Sequence, residues 1–173
     1  MGSVLKRAGW LFLALLFVGT GLGVGVVAFW QAIHQKKDTP ITSNTTPAGP
    51  KLKGTQLSDF TPMAKIDSLQ TIETQPSDGA EAKPNSTVTV NYTGAVAATG
   101  TIFESSLDSG QPATFGLNQV IKGWTQGVPG MRVNGHRRLL IPASLAYAGN
   151  PPPGSGIPTN ADLVFDIVLL DVK

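Results

Sequence analysis

The residues of this chain that could act on a ligand are mostly aromatic and aliphatic, and they stand beside turn sequences. They are Tyr92, Phe103, Val120, Ile121, Trp124, Tyr147, Ile157 and Phe165. Each of these residue types commonly fills a hydrophobic core, but together they could line a pocket that excludes water. Such a pocket acts by holding an apolar group in place, not by transferring protons or electrons.

The rest of the composition excludes most other chemistry. The chain contains no cysteine and only two histidines, His34 and His136. A thiolate nucleophile is therefore excluded, and we expect neither a metal site nor a cofactor. The acidic residues are scattered, without a pairing suited to acid–base catalysis. The formal net charge of +2 is too small to indicate a nucleic-acid partner.

Several segments are predicted to position these residues. Four are predicted as strands: Ser86–Tyr92, Thr101–Ser105, Arg137–Ile141 and Leu163–Val172. The last is nearly continuously apolar, which is typical of a central strand covered on both faces. One short helix is predicted over Asn118–Gln126, with Asn118 as its N-cap. These elements predict an α+β domain, in which an antiparallel sheet wraps around one short helix.

Five sequence blocks then follow one another in a characteristic order. They are VNYTG (Val90–Gly94), TIFESS (Thr101–Ser106), VIKGWTQGVPGM (Val120–Met131), GHRRLLIPASLAY (Gly135–Tyr147) and LVFDIVLLDV (Leu163–Val172). From about Ser68 onwards this series resembles the FKBP-type peptidyl-prolyl cis–trans isomerases. The resemblance implies an FKBP-like fold and an enzyme that accelerates rotation about X-Pro bonds during protein folding. It further implies proline-containing unfolded or newly translocated polypeptides as substrates, and binding of rapamycin-type macrolides.

The resemblance also implies a role for each pocket residue. Trp124 would form the floor on which the proline ring rests. The Tyr147 hydroxyl would contact a substrate carbonyl, and the Ile121 backbone N–H would be a second donor. The other implied site residues are three aromatic walls, two aliphatic walls beside Ile121, and an acid where the family usually has Asp: Tyr92, Phe103, Phe165, Val120, Ile157 and Glu104.

The chain departs from the family pattern at three places around this pocket. Ala113 stands where many members have a large aromatic residue, so we expect one pocket wall to be lower. The segment from Leu107 to Gln111 lacks the arginine that is often found there, so Glu104 would lack that partner. Tyr147 is followed by Ala148 instead of glycine. These changes bear on macrolide affinity and substrate preference more than on the type of reaction.

The N-terminal part has the features of a membrane anchor of a bacterial type. Trp10–Trp30 carries no charged residue and would span about 31 Å as a helix, which matches the hydrocarbon thickness of a bilayer. We predict a short basic segment over residues 1–9, a transmembrane signal anchor over 10–33, a flexible linker over 34–65, and the isomerase domain over 66–173. The basic flanks favour an extracytoplasmic domain on a single-pass protein of the cell membrane. A cleaved signal peptide is the alternative.

Two other functions remain open from the sequence. One is a tethered chaperone or binding module that holds apolar or proline-containing segments with little turnover. The other is a structural domain whose pocket is filled by the chain itself, through Phe60 or Pro62.

Overall fold

A computed structural model describes residues 50–173 of the chain. In this part the elements are β1 (Gln70–Gln75), β2 (Thr87–Val96), β3 (Ile102–Ser105), β4 (Ala113–Gly116), α1 (Lys122–Gly127), β5 (His136–Ile141) and β6 (Leu163–Val172), with 3₁₀ turns at Ser106–Asp108 and Ala143–Leu145. The strands form one antiparallel sheet in the order β1-β5-β6-β2-β3, and β4 also pairs with β2. The predicted sheet around one short helix is confirmed.

The helix begins later than the sequence predicted. It runs from Lys122, and its N-cap, Ile121, makes no side-chain capping hydrogen bond. Asn118 is therefore not the cap, because the chain turns there and the Gln119 N–H donates to the Gly116 carbonyl at 2.9 Å. The Thr125 hydroxyl instead donates to the Leu117 carbonyl at 2.8 Å, which holds the turn against the helix. The turn leaves Val120 and Ile121 outside the helix, at its N-terminal end.

The main core lies between α1 and one face of the sheet. Alternate residues of the strands point into it, as the period of two along a strand requires. The helix approaches β5 very closely at Gly123, where an added Cβ would lie 2.5 Å from Cγ2 of Ile141. Only glycine fits at this contact without moving the helix away from the sheet.

Strand β1 was not predicted, because its sequence QTIETQ is polar and every residue of it is exposed. It lies at the edge of the sheet, paired with β5, where polar residues meet solvent. Arg137 of β5 forms an ion pair with Glu73 of β1. The same buried guanidinium donates to the carbonyls of Gly127, at 2.6 Å, and Pro129, at 3.1 Å. Arg137 thereby joins the edge strand to the C-terminal end of the helix.

The opposite face of the sheet is covered by residues 51–66, which we call the strap. Its side chains form a second core with Ala95, Leu140 and Val164 of the sheet. Arg138 pairs with Asp166 and donates to two strap carbonyls, those of Ser58 and Asp59. Most of the strap falls within the linker predicted over residues 34–65. The packed domain therefore begins before the predicted boundary at residue 66.

The predicted membrane anchor, residues 10–33, lies outside the described residues. Within residues 50–173, no helix is long and apolar enough to cross a membrane.

The packing of the strap predicts that one of its leucines contributes to stability. Leu57 is 7% exposed, so Leu57→Ala should lower the free energy of unfolding by about 2 kcal/mol, since truncation leaves a cavity. Leu107→Ala is the matched control, because Leu107 is 54% exposed, and it should cost less than about 0.5 kcal/mol. Urea unfolding of the full chain, followed by circular dichroism, measures both. Equal small effects would show that the strap does not pack.

Candidate functional site

A pocket of about 420 Å³ opens between the N-terminal end of α1 and the sheet. Its lining is mostly aromatic and aliphatic, with one acid and one amide: Tyr92, Glu104, Phe115, Gln119, Val120, Ile121, Trp124, Tyr147 and Phe165. This volume is in the range that suits a small ligand or a few residues of a peptide.

Trp124 lies at the bottom of the pocket and is held by three other aromatic rings. Its centroid lies 5.6 Å from those of Tyr92 and Phe115 and 5.4 Å from that of Phe165, each nearly perpendicular to the indole. Edge-to-face contacts of this kind stabilise by about 0.5–1.5 kcal/mol each beyond area burial. The indole is therefore fixed in orientation before any ligand arrives.

The rim of the pocket offers two hydrogen-bond donors. The Tyr147 hydroxyl and the Ile121 backbone N–H donate to no other residue within 50–173. Tyr147 follows the second 3₁₀ turn and precedes Ala148, which has a φ of 48°. This left-handed conformation favours glycine and is unusual for alanine. The turn thus keeps the backbone shape of a glycine turn although a methyl group is present.

The two tyrosines of the pocket are uncharged at neutral pH. Burial raises the pKa of the Tyr92 hydroxyl far above its ordinary value, and the neighbouring Glu104 carboxylate raises it further. Burial, followed by the same carboxylate, also raises the pKa of Tyr147. Both hydroxyls therefore stay protonated, so each remains able to donate a hydrogen bond.

The structure brings seven of the nine predicted site residues together around one pocket. Phe103 and Ile157 do not line it: they line a neighbouring groove that shares Glu104 and Tyr147 with the pocket. Phe103 still supports the site from behind, because its ring packs edge-on against Phe165 at 5.7 Å.

Two lining residues, Phe115 and Gln119, were not predicted. Phe115 supplies an aromatic wall two residues after Ala113, so Ala113 does not leave this side of the pocket without an aromatic residue. Alternation along β4 was the signal, since residues 113 and 115 point to the same face of a strand. Phe60 belongs to the second core, across the sheet, and Pro62 lies near Gly100. Neither fills the pocket.

Comparisons with known proteins agree with this geometry. Residues 79–170 match the sequence family described as FKBP-type peptidyl-prolyl cis-trans isomerase. The chain is 52% identical over 95 residues to the peptidyl-prolyl cis-trans isomerase FPR2 of Saccharomyces cerevisiae, covering 54% of this chain and 70% of that protein. It is 45% identical over 109 residues to an FK506-binding protein of Neisseria meningitidis serogroup C, covering 62% and 98%.

A solved structure is similar as well. The crystal structure of FkpA from Escherichia coli superposes with a TM-score of 0.56 at 40% identity. The match covers 61% of this chain and 48% of that one, so the chain corresponds to about half of the solved protein.

The close packing behind the pocket predicts that one glycine cannot be replaced. An added Cβ at Gly94 would lie 2.6 Å from Phe103 and 2.7 Å from Phe165. Gly94→Ala should therefore displace both rings and lower the free energy of unfolding by about 1–3 kcal/mol. Gly149→Ala is the control, because a Cβ there meets nothing within 4 Å. Urea unfolding and near-ultraviolet circular dichroism test this; equal behaviour of the two variants would contradict the packing.

Proposed function

The chain belongs to the family of FKBP-type peptidyl-prolyl cis–trans isomerases, and we propose that the pocket over Trp124 is where it accelerates rotation about X-Pro bonds. The observation that carries this assignment is the indole, held by three perpendicular aromatic rings at the bottom of a pocket with two unused donors at its rim. A proline ring is apolar and of a size to enter such a pocket.

The proposed mechanism follows from the electronic structure of the amide. Rotation about an X-Pro bond faces a barrier of about 18–20 kcal/mol, because resonance gives the C–N bond partial double-bond character. The twisted transition state loses this resonance, so its carbonyl is less dipolar and needs less hydration than that of the planar amide. A pocket that excludes water disfavours the planar ground state more than the twisted state, which is the condition for catalysis by differential binding.

Six of the residues that line the pocket have a part in this mechanism. The indole of Trp124 supports the proline ring, and Tyr92, Phe115 and Phe165 enclose it. The Tyr147 hydroxyl donates to a substrate carbonyl, and the Ile121 N–H is the second donor. These contacts hold the peptide in the orientation in which rotation occurs. Shortening a half-time of about a minute to milliseconds requires about 5.5–7 kcal/mol, and no nucleophile or metal takes part in the step.

The tethered binding module differs from this proposal in one measurable respect, which is turnover. Membership of the isomerase family favours the enzyme. We also expect the pocket to bind macrolides of the rapamycin type, since the Neisseria relative is called an FK506-binding protein.

Removal of one hydroxyl is the sharpest test of the site. Tyr147→Phe keeps the ring and loses the donor, so kcat/KM for a proline test peptide should fall by roughly three- to tenfold, the worth of one hydrogen bond. Trp124→Phe should reduce kcat/KM further, because a smaller ring supports the proline less well. The assay uses the full chain in neutral detergent, with circular dichroism as a check of folding. A folded parent without activity would sink the isomerase assignment and leave the binding module.

We infer from the sequence alone that residues 10–33 anchor the protein in a cell membrane with its isomerase domain on the extracytoplasmic side. The support is the uncharged run between Trp10 and Trp30 and its basic flanks. In that position the enzyme would meet newly translocated polypeptides while they are unfolded, when slow X-Pro isomerisation limits their folding.

Charged substitutions in the apolar run test the anchor. In a bacterial host, the parent should stay in the membrane pellet after alkaline extraction, and protease added to intact cells should digest its domain. Leu15→Arg with Leu22→Arg should release the protein, since each arginine costs about 2.5–3.5 kcal/mol at the centre of a membrane helix. Leu15→Ala with Leu22→Ala is the control and should remain bound. Release of the parent, or full protection from protease, would contradict the proposal.

A further inference from the structure

A second groove adjoins the proline pocket, and most of the residues that line it do not line the pocket. It has a volume of about 530 Å³ and shares Glu104 and Tyr147 with the pocket. Phe103 and Ile157 line it, and so do residues 152–155 of a loop between β5 and β6. The strap contributes two lysines to its lining, Lys51 and Lys53. A peptide whose proline occupies the pocket would therefore extend into a groove that carries these lysines.

The strap is fixed at the groove by its backbone, so the chain that carries the two lysines is held beside it. The N–H groups of Leu52 and Lys53 donate to the two carboxylate oxygens of Asp108, at 2.6 and 3.0 Å. The Gly54 N–H donates to the Ile102 carbonyl at 2.8 Å, and the Ile102 N–H returns to the Thr55 carbonyl at 2.8 Å. The hydrogen bond from Leu52, followed by that from Lys53, holds the pKa of Asp108 below its ordinary value, so the contact is present at neutral pH.

The groove has an acidic residue where it meets the proline pocket, and two lysines of the strap line it elsewhere. Glu104 lies at the end shared with the proline pocket, and within residues 50–173 it forms no salt bridge. Lys51 and Lys53 line the groove beyond it, and neither ammonium group is paired with a carboxylate of the described residues. Asp108 offsets part of their charge, but both of its oxygens already accept backbone N–H groups. The groove therefore offers two cations to a substrate.

We propose that the groove binds residues next to the proline of the substrate. Lys51 and Lys53 then favour substrates that have an acidic side chain among these residues. The proposal rests on the isomerase function proposed above and adds a substrate preference to it. It assigns to the strap, which precedes the residues that match the family, a part in choosing what the pocket acts on.

Paired test peptides measure this preference. In a peptide with Leu-Pro at its centre, one flanking alanine at a time is replaced by Glu or, in the matched peptide, by Gln. The ratio of kcat/KM for Glu over Gln should reach roughly two- to fivefold at one or two flanking positions, as expected for exposed ion pairs. The ratio should approach one at about 1 M salt, where the Debye length is only about 3 Å.

Variants of the full chain in neutral detergent then identify the cations. Lys51→Gln with Lys53→Gln should reduce the Glu/Gln ratio to about one, and Lys51→Glu with Lys53→Glu should bring it below one. The control is Lys83→Gln with Lys173→Gln, which removes two exposed lysines that do not line the groove and should keep the ratio of the parent.

The outcomes separate this proposal from the isomerase assignment. If the Gln peptides are isomerised but the ratio is one at every position, the preference is absent and the isomerase stands. A ratio that survives Lys51→Gln with Lys53→Gln also overturns the proposal, because another group then selects the acid. If no peptide is isomerised by the folded protein, the failure lies with the isomerase assignment itself.

Discussion

The contact on which the site depends is that of the short helix against strand β5. A six-residue helix has little stability of its own, because nucleation is costly and few hydrogen bonds follow it. Here the sheet supplies the missing stability: Gly123 allows the helix to touch Ile141, and Arg137 holds the carbonyl of Gly127 at the other end. Trp124 lies between these two contacts. Its indole is therefore placed by the sheet, and the pocket inherits the rigidity of the strands.

The two faces of the sheet are closed in different ways, and this difference explains where the domain begins. The helix covers one face and leaves the pocket beside it. The strap covers the other with irregular chain, held by Arg138 at one place and by Asp108 at another. A strand such as β6 is then buried on both sides along its first half, where Val164 meets the second core. Without the strap this apolar surface would face water.

The sequence indicated the parts of the fold in which burial and periodicity agree. Strand β6 has the predicted bounds, because its apolar run is long and is flanked by the charged residues Asp162 and Lys173. Strand β1 escaped prediction since an exposed edge strand has no apolar face, and its pairing depends on β5. The packing of the strap was not predicted for a similar reason: Leu52, Leu57 and Phe60 follow no clear period, and only the sheet beneath them makes them part of the second core. Asparagine is a common N-cap residue, but Asn118 lies in the turn before the helix, three residues before the actual N-cap, Ile121.

The predicted pocket residues divide into two groups in the structure. Seven of the predicted residues line one pocket, whereas Phe103 and Ile157 line the adjoining groove. In the proposed mechanism the twisted amide needs an environment that excludes water, and burial raises the pKa of Tyr92 and of Tyr147, so both hydroxyls stay uncharged there. A cation inside such a pocket would attract water and favour the planar, more dipolar amide. Selection by charge therefore has to act at a distance from the reacting bond, and the groove beside the strap is a place where lysines can do so without disturbing the pocket.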